Sequence, residues 1–177
     1  MIDRSLGSGC KRGVERKLFF GSHLNGVDGK NRLSIPSDFR DVAQSNCGQR
    51  TLLVYEHESL PCLVASDLNF VECLRARRQS EVGERYGAAR EDISRSLFGL
   101  AEPVNYDDTG RIVLDPDLKQ AVGINGLAFL IGIEDYFEIW NPYSFLREKG
   151  AGDHRLVRKI RQKLAQKGEP MPEDLPA

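Results

Sequence analysis

Short apolar runs rich in β-branched and aromatic residues recur along the chain, separated by Gly, Asp, Asn and Pro. Brief runs bounded by turn residues predict strands joined by tight loops. The first run covers residues 18–25 and the second 32–35, with Val27-Asp28-Gly29-Lys30-Asn31 between them, which is a hairpin signal. Pro36-Ser37 then opens a short helix. Proline costs little there, because its missing N–H would have no intrahelical partner. Runs at 51–55 and 62–65 predict two more strands. The succession returns in the second half as runs at 99–105 and 111–114, a helix opened by Asp115-Pro116, and runs at 127–132 and 136–140. Helical spacing governs the rest. Leu68, Val71 and Leu74 share one face of a helix over 68–79, capped by Ser66 or Asp67, and a further helix over 82–97 follows. Asn141-Pro142 starts the C-terminal helices, where Leu156, Ile160 and Leu164 recur every four residues opposite Arg155, Arg158, Lys159, Arg161 and Lys163. Gly150 and Gly152 interrupt that region.

The second half is a copy of the first. Val27-Asp28-Gly29-Lys30-Asn31-Arg32-Leu33-Ser34-Ile35 returns 79 residues later as Tyr106-Asp107-Asp108-Thr109-Gly110-Arg111-Ile112-Val113-Leu114. The match continues through Ser37-Asp38-Phe39-Arg40 against Pro116-Asp117-Leu118-Lys119. A second match, offset by 75, sets residues 62–70 against 137–145. Two matches in the same order define a duplicated module, and loops between strands absorb the change in offset. The expected layout is a basic, disordered extension over 1–17, module one over 18–66 and a helical connector over 67–97. Module two follows over 98–141, then C-terminal helices over 142–167 and a disordered acidic tail over 168–177. The fold class is mixed α+β and β-rich.

The repeated signature is Asp-x-x-x-Arg at a hairpin tip, Asp28 with Arg32 and Asp107 with Arg111. An Asp at the start of a turn accepts hydrogen bonds from N–H groups about two residues on and so fixes the loop. Gly29, Asn31 and Gly110 tolerate the positive φ that tight turns need. The arginine then leaves a stiff loop at a defined angle, and its planar fork suits a phosphate or the O6 and N7 atoms of guanine. Lys30 adds charge at the first tip. Alternatively, each Asp and Arg simply bridge one another across the turn; recurrence of the pair at one place in both modules favours function.

Composition removes other classes. A formal net charge of −1 argues against indiscriminate coating of nucleic acid, although residues 147–167 are strongly basic. No window approaches the roughly 18 apolar residues of a membrane span. The polar, basic N-terminus lacks the apolar core of a secretory signal, so a cytosolic protein is expected. Cys10, Cys47, Cys62 and Cys73 form no CxxC pair and are read as reduced thiols, not zinc ligands. Asp107, Asp108, Asp115 and Asp117 suit turn and cap roles better than a metal site. His23, His57 and His154 fall in no hydrolase, P-loop or metalloprotease pattern. Neither enzyme, cofactor nor small-molecule substrate is expected. The basic side of 155–167 is read as a solvated helix face, Gly123-Ile124-Asn125-Gly126 as a turn before a strand, and Phe19, Phe20, Phe39 and Trp140 as packing.

Residues 19–40 and the second copy over 104–124 resemble the MraZ family, which belongs to the SpoVT/AbrB-like superfamily; the resemblance covers roughly 18–147. It implies two tandem swapped-hairpin modules forming a pseudo-dimeric β barrel with trailing helices. It also implies a bacterial repressor of the division and cell wall gene cluster, a ring-like homo-oligomer that binds direct repeats of double-stranded DNA in its own promoter and lies in the nucleoid. Lys30, Arg32 and Arg111 become the DNA-binding residues, held by Asp28, Gly29, Asn31, Asp107 and Gly110. Asn31 stands where the family usually has glycine. Thr109 stands where the first loop has Lys30, so loop one is expected to supply most of the affinity. The alternative is an AbrB-like antitoxin or interaction module acting through a protein partner.

Overall fold

A computed structural model of the chain describes residues 16–70, 99, 101–150 and 154–171. Eight strands and four helices are described. They are β1 (Ser22–Gly26), β2 (Arg32–Ser34), α1 (Ser37–Cys47), β3 (Thr51–Glu56), β4 (Cys62–Asp67), β5 (Glu102–Asn105), β6 (Arg111–Val113), α2 (Pro116–Ala121), β7 (Leu127–Ile133), β8 (Tyr136–Trp140), α3 (Pro142–Lys149) and α4 (His154–Gln166). The connector helices expected over 71–97 lie outside the described residues.

Six strands form one antiparallel sheet in the order β1-β7-β8-β4-β3-β5, and β2 pairs with β6 in a separate ribbon. Exchanging the two repeats turns β1 into β5, β7 into β3 and β8 into β4, so the order reads the same from either end. The first strand of each repeat therefore lies on the other repeat's third strand, Leu24 against Phe129 and Leu52 against Val104. Among the described residues the sheet is open, with β1 and β5 at its edges. The pseudo-dimeric β barrel implied by the resemblance is not confirmed by these strand pairings.

Side-chain alternation along the strands sorts residues onto two faces. Ala128, Leu130, Phe137 and Ile139 join Leu52, Val54, Leu63 and Ala65 in a core that also takes Leu33 and Ile112 from the ribbon. Phe129, Ile131 and Trp140 face the other way, onto Phe145, Leu146, Val157, Ile160 and Leu164 of α3 and α4. Burial on both faces explains why β7 reads as a continuous apolar run instead of an alternating one. Phe39 of α1 brings its ring to 5.7 Å from Phe19 and 4.8 Å from Phe137, a small aromatic cluster under the N-terminal segment. Gly132 lets that segment pass: a methyl there would collide with the Phe19–Phe20 backbone.

Local chemistry sets the helix ends. Asp115 accepts from Asp117 N and Leu118 N, and Asn141 from Tyr143 N and Ser144 N, each followed by proline in the first turn. Gly48 ends α1 in the left-handed conformation, at φ 71°. On α4, Arg155, Arg158 and Lys159 are exposed, opposite the buried Val157, Ile160 and Leu164. Two expectations about the N-terminal region need correction. Phe20, read as packing, is 68% exposed. Arg16 and Lys17, assigned to the extension, are tied to the fold through Asp67, Asp135 and Asn46. No described helix is long and apolar enough to cross a membrane.

Candidate nucleic-acid interface

The two signature loops are built alike. Asn31 N donates to Asp28 O at 2.9 Å and Gly110 N to Asp107 O at 2.9 Å, closing each turn. The closing residue adopts positive φ in both, 58° at Asn31 and 78° at Gly110. A turn followed by a left-handed residue is a common way to join strands through a short loop. Asparagine visits that region more readily than most residues, so it stands in for the glycine.

Each aspartate gathers the N–H groups of its own loop. Asp28 Oδ1 accepts from Lys30 N and Arg32 N, both at 2.9 Å. Asp107 Oδ1 accepts from Thr109 N at 2.9 Å, Arg111 N at 3.0 Å and the Thr109 hydroxyl at 2.6 Å. The backbone N–H of Arg32, with the Arg32 side chain and Lys30 N–H behind it, lowers the Asp28 pKa from 3.8 to about 2 against an opposing effect of burial. Asp107 is pushed down further, first by the Thr109 hydroxyl and then by Arg111. Thr109 thus tightens loop two at the position where loop one carries charge. A carboxyl whose folded pKa is depressed holds its loop above the ordinary value and releases it only as pH falls through the folded one. The Asp28 loop is therefore expected to stay formed at pH 4 and to open toward pH 2. A carboxyl-carbon NMR titration of Asp28 checks this, and a midpoint at 3.8 would refute it.

Each arginine also pairs with its own aspartate. Arg32 Nε and Nη2 both reach Asp28 Oδ2 at 2.7 Å, and Arg111 Nε and Nη2 reach Asp107 Oδ2 at 3.1 Å. The bridge weighed as an alternative in the sequence is therefore present in both copies. It engages one edge of each guanidinium. Nη1 of Arg32 and of Arg111 makes no hydrogen bond to a described residue, and the two side chains stay 36% and 35% exposed.

The ribbon places these arginines together. Arg32 lies opposite Val113, Leu33 opposite Ile112 and Ser34 opposite Arg111. Leu33 and Ile112 are fully buried, so Arg32, Ser34, Arg111 and Val113 share the outer face. The arginines are diagonal neighbours on it, roughly 7–8 Å apart at Cα by strand geometry. Two reciprocal hydrogen bonds extend the pairing beyond the strands, Ile35 N to Gly110 O at 2.8 Å and Leu114 N to Asn31 O at 2.9 Å. Both loops thus flank one two-strand surface, with Lys30 exposed at one tip.

Sequence reasoning missed three cations here. Arg50 Nη1 donates to Asp108 Oδ1 and Nη2 to Asp107 O, both at 2.8 Å. Lys119 reaches Asn31, and Arg40 lies over Gly110. The repeat alignment had set Arg40 against Lys119, which was the available signal. Asp107, Asp108 and Asp115 are engaged as loop organiser, ion-pair partner and helix cap. His23 Nε2 sits 3.0 Å from Asp38 Oδ2, while His57 Nδ1 accepts from Ser59 N and Leu60 N. Burial, and then the Glu138 charge, push the Cys62 thiol far up, which makes it a poor nucleophile.

The family described as "MraZ protein, putative antitoxin-like" matches residues 97–147. A protein of Rickettsia canadensis (strain McKiel), called Transcriptional regulator MraZ, is 31% identical over 131 residues, 72% of this chain and 84% of that one. A protein of the same name from Acidithiobacillus ferrooxidans (strain ATCC 53993 / BNL-5-31) is 32% identical over 127 residues, 70% of this chain and 83% of its own length. Another, from Rickettsia rickettsii (strain Sheila Smith), is 30% identical over 128 residues, again 72% of this chain and 84% of that one. With both signature loops built on one interleaved scaffold and matches of this extent, the chain belongs to the MraZ family.

Proposed function

We propose that the chain is a transcriptional regulator that binds double-stranded DNA in a sequence-specific way through the outer face of the β2–β6 ribbon. The observation that carries this reading is the placement of Arg32 and Arg111 on one exposed two-strand face, each aimed by an aspartate-locked loop. A two-stranded ribbon fits the major groove, and an arginine fork there suits guanine O6 and N7. Pairing to Asp28 and Asp107 pre-orients each fork, so less freedom is lost when DNA binds. Lys30 supplies a phosphate contact at the first tip. The names of the relatives support regulation of transcription.

The finer reading follows the family resemblance. The two modules act as a pseudo-dimer, and subunits assemble into a ring-like homo-oligomer that presents several Arg32 loops to direct repeats in the protein's own promoter. One loop binds weakly; linked loops bind tightly through effective concentration. Bound protein would obstruct polymerase and repress the division and cell wall gene cluster, in a cytosolic, nucleoid-associated setting.

The test is footprinting on the DNA upstream of its own reading frame at several salt concentrations, with Arg32→Ala as the variant. That substitution is expected to cost about 1–3 kcal/mol at the specific site and to relax sequence preference. Unchanged affinity and preference would reject the reading. The antitoxin-like description of the family supports a second reading, in which a protein partner is the main target. A stoichiometric heteromeric complex with no DNA retention would favour it.

A further inference from the structure

The residue of positive φ differs between the two loops, and over each lies a cation from the opposite repeat. Lys119 of α2, in the second repeat, donates from Nζ to Asn31 Oδ1 at 2.7 Å. Arg40 of α1, in the first repeat, donates from Nε to Ile35 O at 3.1 Å. Its Nε and Cζ lie 2.5 Å from where a methyl on Gly110 would stand. Arg40 and Lys119 are 79 residues apart, as are Asn31 and Gly110, so one crossing is made twice. The chemistry of each tip matches the cation above it. Asn31 offers an amide oxygen to an ammonium, whereas Gly110, having no side chain, leaves room for a planar guanidinium against the loop backbone.

Neither cation has a counter-ion among the described residues. Both are half-buried, both donate to neutral oxygens, and no carboxylate of the described residues forms an ion pair with either. Holding a partly desolvated charge without an anion is unfavourable, and an arriving anion relieves it. We propose that Lys119 and Arg40 are further phosphate-binding residues of this interface, each completing from the opposite repeat the cationic tip of a signature loop. Lys30, Arg32 and Lys119 then surround one tip, and Arg111, Arg50 and Arg40 the other. The inference rests on the DNA-binding reading above and goes beyond it. It gives loop two a cation set equal to that of loop one, despite Thr109 in place of a lysine.

The experiment compares the wild-type chain with Arg40→Met and Lys119→Met, using a duplex that the wild type enriches from a randomised pool and a scrambled duplex of equal length. Each variant is expected to weaken both duplexes alike by several-fold. Each should also lower the slope of log affinity against log salt by about 1, the release expected for one phosphate. Sequence preference should persist, because phosphates carry no base identity. An unchanged slope in variants that unfold at the wild-type temperature overturns the proposal. Wild-type affinity in Lys119→Gln, which keeps a donor for Asn31 but not the charge, overturns it too by making the lysine a scaffold. If Arg32→Ala with Arg111→Ala binds like wild type, the DNA-binding reading fails. If that pair loses binding while Arg40→Met and Lys119→Met keep the slope, only this inference fails.

Discussion

A chain carrying both Arg32→Ala and Arg111→Ala is expected to lose about 2–6 kcal/mol of specific DNA affinity, from about 1–3 kcal/mol for each base-reading arginine. The upper figure assumes independence. Diagonal positions on paired strands lie close to the spacing at which effects cease to add, so a value in the middle of the range is the better expectation. Folding should be little affected, because both side chains sit on the outer face of the ribbon while Leu33 and Ile112 hold its inner one. A competition assay separates specific from non-specific affinity. Arg32→Lys with Arg111→Lys keeps the charge but removes the fork. It should lose most of the preference for the enriched duplex and keep most of the salt dependence. Equal preference in the wild type and the lysine pair would show that these positions contribute charge alone.

Asp67→Ala is expected to destabilise the fold by about 3 kcal/mol, with a fall in Tm of roughly 6–12 °C for a chain of this size. Asp67 is fully buried. Its Oδ2 accepts from Arg16 Nη2 at 2.6 Å and Asn46 Nδ2 at 3.1 Å. Its Oδ1 accepts from Arg16 Nη1 at 3.1 Å, Asn69 N at 3.1 Å and Phe70 N at 3.2 Å. One carboxylate thus joins the N-terminal segment, α1 and the backbone turn after β4. Breaking a buried ion pair usually costs about 3–5 kcal/mol, because the remaining charge is left without compensation. Arg16 retains Asp135, with Nε 3.3 Å from Oδ1 and Nη2 3.1 Å from the carbonyl, which sets the expectation at the lower end. Urea unfolding at unchanged m-value measures it. A loss below about 1 kcal/mol would mean that Asp135 alone secures Arg16.

Local features were legible where the chemistry is local. Asp28 and Asp107, two and four residues from their partners, declare their turns in sequence, and Asn31 adopts the left-handed backbone its type permits. Asp115-Pro116 and Asn141-Pro142 start helices where capping rules place them. Strand partnership was not legible from alternation, because period two assigns faces and leaves neighbours open. Hence the palindromic six-strand order could not be read from the sequence, and the β barrel implied by the resemblance is not confirmed. The bridging of Arg32 to Asp28 could be posed in sequence but not decided, since an arginine at that spacing can equally face solvent. Lys119 over Asn31 and Arg40 over Gly110 join residues from different repeats, so only the alignment of the copies hinted at them.

The palindromic strand order has a consequence for biosynthesis. Ser22 lies opposite Ile131 in the sheet, so β1 emerges from the ribosome long before its neighbour exists. At about 5–20 residues per second, that wait is roughly 5–20 s, with the strand unpaired. Closing so long a loop also slows folding relative to a chain of local contacts. A translation product that stops between the repeats therefore keeps the β3–β4 pair but lacks the strands that β1, β2 and the outer edges of β3 and β4 lie against.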